Sequence, residues 1–125
     1  MSSPMLDGGQ PDKPAILLLS SLAGLIEDEV LAGMEEEGVP YIVERPAGAA
    51  DDAGALARLA AARSSLSVGV GIDERGRVCV QHEKLGDPPA GLCTQGAADP
   101  VAARTLGHNA ARIVVGIPLR MRGLS

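Results

Sequence analysis

One strand–helix–strand unit near the N-terminus restricts this chain to few architectures. Residues 15–19, AILLL, form an unbroken aliphatic run. A run with no polar alternation suits a strand covered on both faces, as in a parallel sheet. We assign this strand to Ala15–Ser20. Ser20, Ser21 and Gly24 then turn the chain into a helix from Leu25 to Glu37, where Ile26, Val30 and Met34 recur at i, i+4 and i+8. Gly38 supplies a left-handed stop and Pro40 prevents resumption. Tyr41 to Glu44 reads as the second strand, ended by Pro46 and Gly48. Early alternation of strand and helix implies parallel pairing through right-handed crossovers.

The remaining chain extends the same layer. Asp51 or Asp52 caps a second helix that runs to about Arg63, with Ala53, Leu56 and Ala60 as a narrow apolar stripe and Leu59 and Arg63 beside it. Leu66 to Ile72, LSVGVGI, is a third strand whose glycines mark a close backbone approach. Asp73-Glu74-Arg75-Gly76 is a tight turn, and Arg77 to His82 returns as a fourth strand, so the two form a hairpin. Lys84 to Ala90 is a loop with Pro88 and Pro89, and Leu92 and Cys93 suggest a short edge strand. Asp99-Pro100 is a strong helix start. The helix continues to about Val115, with Leu106, Ala110, Ile113 and Ile117 on one face and Gly116 and Pro118 closing it. Residues 1–14 read as a disordered tail, 15–120 as the domain and 121–125 as a C-terminal tail. The expected fold is α/β, a single small domain with a mixed, mostly parallel sheet of four or five strands and helices packed on it.

The core of such a domain is unusual, because Tyr41 is the only aromatic residue among 125. Burial falls to Leu, Val, Ile and Met, at roughly 1.5–3 kcal/mol for each fully buried side chain, and to many alanines that contribute less. A core without large aromatics leans toward a partner surface. The net charge of −5 argues against nucleic acid, which demands a basic face. There is no basic amphipathic helix for a membrane surface, and the apolar runs are far too short to span a bilayer. Without a signal-type N-terminus the expected location is the cytoplasm. Cys79 and Cys93 lack metal-type spacing, and in that compartment they are expected as reduced thiols.

No catalytic set can be assembled. Gly69 and Gly71 lead into a hairpin rather than a helix and do not make a phosphate loop; there is no Walker motif, so ATP is not expected on this chain. His82 and His108 are the only histidines, too few for a metal site without other ligands, and read as surface or hydrogen-bonded structural residues. Ser64 and Ser65 lack an elbow motif.

What remains is the acidic end of the first helix. Glu35, Glu36 and Glu37 occupy the last turn. A helix C-terminus carries partial negative charge, so each exposed acid there costs roughly 0.3–1 kcal/mol. Solvation and salt screening can make such an end tolerable. A divalent cation or a basic partner can also offset it. Oxygen ligands suit Mg²⁺ or Ca²⁺, and Mg²⁺ often takes one or two protein carboxylates plus groups from elsewhere. Glu29 and Glu36 are seven apart and share a face, whereas Glu35 and Glu37 diverge from Glu36 by about 100° each. At most one or two of the triplet can meet a common ion.

Three blocks, EVLAGMEEEGVPY, ARSSLSVGVGID and LGHNAARIVVGIPLR, resemble the small subunit of the diol/glycerol dehydratase-reactivating factor. The resemblance runs from Ala15 to Arg120; the EEEGVP and NAAR-to-GIP blocks are its specific parts. It implies a non-catalytic partner of a large subunit with an actin-like ATPase fold, which holds ATP or ADP. Together they would act as a chaperone for adenosylcobalamin-dependent diol or glycerol dehydratase. The small subunit resembles the dehydratase medium (β) subunit and would take its place so that damaged cobalamin leaves. The resemblance further implies a divalent metal shared at the subunit contact, with Glu36 as the matching ligand and Glu29, Glu35, Glu36 and Glu37 at the interface. For Asn109 to Arg112, core packing is expected rather than partner contact. Tyr41 and Leu119 stand where phenylalanine is usual. Two other readings stay open: a medium-subunit-like component of the dehydratase itself, binding cobalamin, and a free-standing ligand-binding protein. Which dehydratase is served, the stoichiometry and any microcompartment association are left open.

Overall fold

The computed structural model describes residues 14–47, 51–84 and 92–116. Residues 1–13 of the expected N-terminal tail, the C-terminal tail, Ile117, Pro118 and the proline-bearing part of the loop after Lys84 lie outside these residues. Seven elements follow in order: β1 (Ile16–Ser20), α1 (Leu25–Glu36), β2 (Tyr41–Glu44), α2 (Ala53–Arg63), β3 (Val68–Ile72), β4 (Val78–His82) and α3 (Pro100–Val115). The sheet is four-stranded in the order β2-β1-β3-β4. β1 pairs parallel with β2 and β3, and the β3–β4 hairpin adds an antiparallel edge. The expected mixed, mostly parallel sheet is therefore present, with the smaller of the two strand numbers. Leu92 and Cys93 contribute a single bridge, Cys79 to Cys93, rather than a fifth strand.

Local chemistry sets the element ends. Asp52 accepts from the Ala55 N–H at 2.7 Å and Asp99 from the Ala102 N–H at 2.8 Å, so each of these two helices begins on an aspartate cap. Gly38 and Gly116 adopt φ of 78° and 76°, the left-handed stops their positions require. The third strand starts two residues later than its sequence suggests. Ser64 Oγ donates to the Ala15 carbonyl at 2.7 Å, and Ser65 Oγ accepts from the Ala15 N–H at 3.0 Å. These contacts hold residues 64–67 in a turn, with Ser67 at φ 63°.

The two faces of the sheet are built differently. Register places Leu17 beside Gly69 and Leu19 beside Gly71. Leu17 and Leu19 pack against Leu56 and Ala60 of α2. A Cβ on Gly69 would lie 2.2 Å from the Ala61 nitrogen, and one on Gly71 would lie 2.2 Å from the Ala53 carbonyl. The glycines thus let α2 rest on strand backbone, the close approach their presence in a strand implied. The opposite face carries the main core. Ile16, Leu18, Val70 and Ile72 meet Val30 and Met34 of α1 and Leu106 and Ala110 of α3. α1 and α3 touch through Gly33 and Gly107: a Cβ on Gly107 would lie 2.1 Å from the Val30 carbonyl, and one on Gly33 2.3 Å from the Arg104 carbonyl.

The cysteines require a correction. Cys79 and Cys93 are joined as a disulfide rather than standing as separate thiols. They form a bridge pair flanked by the bonds Val80 N–H to Leu92 O and Thr94 N–H to Val78 O, which makes them a non-hydrogen-bonded antiparallel pair. Such pairs bring side chains closest together, and here the Cα atoms are 4.0 Å apart.

Candidate functional site

The acidic end of α1 meets a row of basic side chains on α3. Arg104, His108 and Arg112 follow at i, i+4 and i+8 and so share one helix face. The Gly33–Gly107 crossing brings that face against the end of α1. Arg104 Nε donates to Glu29 Oε1 at 2.8 Å, and its Nη1 donates to Glu36 Oε2 at 3.1 Å. His108 stands between two acids, with Nε2 2.7 Å from Glu36 Oε1 and Nδ1 2.7 Å from Glu37 Oε2. Arg112 Nε donates to Glu37 Oε2 at 3.0 Å. Glu35 turns away and accepts from the Tyr41 hydroxyl at 2.8 Å.

The misplaced negative charge is therefore offset within the chain. The compensating charge comes from three basic residues of α3 rather than only from an ion or a partner. Their fourfold spacing was the available signal. The expected divergence from Glu36 is seen for Glu35, which pairs with Tyr41, but not for Glu37, which lies past the end of α1 and meets Glu36 across His108. Glu37 lies deepest, its side chain 15% exposed. Burial pushes its carboxyl up, but the hydrogen bond from His108 and the charge and hydrogen bond of Arg112 outweigh this and hold it below the usual carboxylate range. Glu36 is more open than Glu37, with 48% of its side chain exposed. The tyrosine hydroxyl is pushed up by its hydrogen bond to Glu35, with burial adding to the effect.

Among the described residues, no three His, Cys, Asp or Glu side chains gather as a metal-ligand cluster. Glu36 presents one carboxylate, held by Arg104 and His108. Beside it, an open groove of about 450 Å³ runs between α1 and α3, with Pro100, Val101 and Thr105 in its wall. His82 ends the edge strand β4, where its Nδ1 accepts from the Lys84 N–H at 3.0 Å. Asn109 is fully buried, as the expected packing role requires. No helix among the described residues is long and apolar enough to cross a membrane.

Two other charged clusters are structural. Glu27, 6% exposed, pairs with Arg45 at the carboxyl ends of β1 and β2. Asp73, 3% exposed, accepts from the Arg75 and Arg77 N–H groups at 2.9 and 3.0 Å, from Arg77 Nε at 2.7 Å and from the Ala53 N–H at 3.3 Å. It thereby ties the hairpin turn to the start of α2. The Glu27 and Asp73 carboxyls are each pushed up by burial and pulled lower still by their hydrogen bonds and arginine partners.

The sequence and the small α/β fold of this chain match a known class. The family model described as dehydratase medium subunit covers residues 13–120, and the chain belongs to that family. Within it the chain is similar to dehydratase-reactivating factor small subunits. It is 36% identical over 109 residues to the propanediol dehydratase-reactivating factor small subunit of Citrobacter freundii, covering 86% of this chain and 90% of that one. It is 41% identical over 108 residues to the diol dehydratase-reactivating factor small subunit of Klebsiella michiganensis, covering 85% and 82%. Among solved structures, a glycerol dehydratase reactivase superposes with a TM-score of 0.76 at 32% identity, covering 86% of this chain and 97% of that one. A diol dehydratase-reactivating factor complexed with ADP and Mg²⁺ superposes with a TM-score of 0.72 at 35% identity, covering 87% and 99%.

Proposed function

We propose that this chain is the non-catalytic small subunit of a dehydratase-reactivating complex. It pairs with a large subunit that carries the ATPase site. It takes the place of the medium subunit of an adenosylcobalamin-dependent diol or glycerol dehydratase, loosening the enzyme so that damaged cobalamin leaves. The observation that carries this reading is the match to reactivating-factor small subunits over more than four-fifths of the chain, in sequence and in fold. The absence of a nucleophile–base–oxyanion set in the sequence supports the non-catalytic role.

Within that role, Glu36 contributes a ligand to a Mg²⁺ ion shared with the large subunit. Its half-exposed carboxylate at the tip of α1 supports this. A structural relative was solved as a complex with ADP and Mg²⁺, which supports a nucleotide and Mg²⁺ in an assembly of this kind. Glu29 and Glu37 line the same contact, with Glu35 at its margin. Bound there, the ion would hold the two polypeptides by charge, and this chain would supply one oxygen ligand. Replacing Glu36 with Ala should weaken assembly with the large subunit by about 2 kcal/mol, roughly 30-fold in Kd, in Mg²⁺ and much less in chelator. Equal affinities for wild type and Glu36→Ala in calorimetric titration count against the assignment.

The family description also favours a second reading, a medium-subunit-like component of the dehydratase that touches cobalamin. Specific cobalamin binding by the isolated chain separates it from the first.

A further inference from the structure

We infer that Arg104 is the positioning residue for Glu36, fixing the orientation in which its carboxylate meets a divalent cation at the large-subunit contact; this rests on the reading of Glu36 proposed above. Glu36 is the last residue of α1, and its side chain is 48% exposed. An unrestrained glutamate at such a tip samples many rotamers, and freezing one costs up to roughly 2 kcal/mol. Arg104 removes that freedom before an ion arrives. Its guanidinium spans two turns of α1, holding Glu29 through Nε at 2.8 Å and Glu36 through Nη1 at 3.1 Å. The planar, forked guanidinium can address two carboxylates at once, whereas an ammonium group is a point charge without that geometry.

The arrangement leaves room for the ion. His108 Nε2 takes the other Glu36 oxygen at 2.7 Å. A carboxylate has about four lone-pair sites, so one hydrogen bond to each oxygen leaves capacity for a further ligand. Metal-ligating carboxylates are commonly held by hydrogen bonds of this kind, and loss of the outer partner typically weakens metal affinity about 10–100-fold. The alternative, that Arg104 only packs, fits poorly. Its side chain is 42% exposed, and its contact with Gly33 is made by the backbone carbonyl, which truncation of the side chain leaves in place.

The test is calorimetric titration of the full chain with the large subunit at stepped Mg²⁺ concentrations. Wild type, Arg104→Ala, Arg104→Met and Arg104→Lys are compared after thermal unfolding shows that each is folded. Arg104→Ala and Arg104→Met should raise the Mg²⁺ concentration for half-maximal assembly about tenfold or more, while affinity at saturating Mg²⁺ returns close to that of wild type. Arg104→Lys should recover only part of the shift. An unchanged midpoint overturns the inference. A lowered midpoint also overturns it, because Arg104 would then compete with the ion. So does an equal loss of affinity at every Mg²⁺ concentration, which marks an ordinary contact. If wild-type assembly ignores both Mg²⁺ and chelator, the Glu36 reading falls and takes this one with it. If the wild type responds to Mg²⁺ and Arg104→Ala does not differ from it, only the role of Arg104 is refuted.

Discussion

Replacing Gly107 with alanine should separate the two helices that form the candidate site. The added Cβ would lie 2.1 Å from the Val30 carbonyl oxygen and 2.9 Å from the Val30 carbonyl carbon. Ordinary contact begins near 3.4 Å, so α3 must retreat by about 1.3 Å. The obstacle is backbone, and no rotamer change relieves it. Overpacking of this kind costs about 1–3 kcal/mol, and a backbone clash belongs at the upper end. Alanine in place of an interior helix glycine returns up to about 1 kcal/mol of helix propensity. The net expectation is a loss of about 2 kcal/mol, or roughly 8 °C in Tm for a chain of this length. The same retreat stretches the Arg104–Glu36 and His108–Glu37 contacts, so affinity for the large subunit should fall as well. Thermal unfolding followed by circular dichroism measures the first effect. Gly54→Ala supplies an internal control of opposite sign, because a Cβ at Gly54 meets nothing closer than 3.5 Å. It should stabilise by about 0.4–1 kcal/mol. A Gly107→Ala variant as stable as wild type, or stabilised alongside Gly54→Ala, would show that the two backbones do not meet as closely as described.

Two further expectations concern stability. Asp73 has a folded-state carboxyl pKa below its ordinary value, so its contribution is complete above the unfolded pKa, about 3.9, and is lost as pH falls through the folded one. Unfolding free energy measured by denaturant between pH 6 and pH 2 should therefore fall less steeply in Asp73→Asn than in wild type; parallel slopes would contradict this. Leu106 is fully buried between α3 and the sheet, and Leu106→Ala should cost about 2–5 kcal/mol by chemical denaturation. A loss below about 1 kcal/mol would mean that the α3 layer is not part of the cooperative core.

The order of elements was legible because each end carries its own chemistry. Asp52, Asp99, Gly38 and Gly116 act on neighbours within a turn, and each does what its position implies. The Leu17–Gly69 and Leu19–Gly71 pairing could be anticipated in kind, as a close approach, but not in register. The apposition of α1 and α3 was not legible. Gly33 and Gly107 look like weak points in two helices, and only the second helix explains the first. For the same reason Glu36 and Glu37 looked uncompensated although Arg104, His108 and Arg112 stand beside them. The cysteine pairing was not legible, because it depends on how residues 92–94 align with β4, a relation that the spacing of the two cysteines does not encode.

The glycine crossing has a mechanical consequence. Side chains that hold two helices apart act as soft springs, since each can change rotamer under load. Where main chain rests on main chain, that compliance is missing. A displacement at the tip of α1 should therefore pass into α3 with less give than side-chain packing would allow.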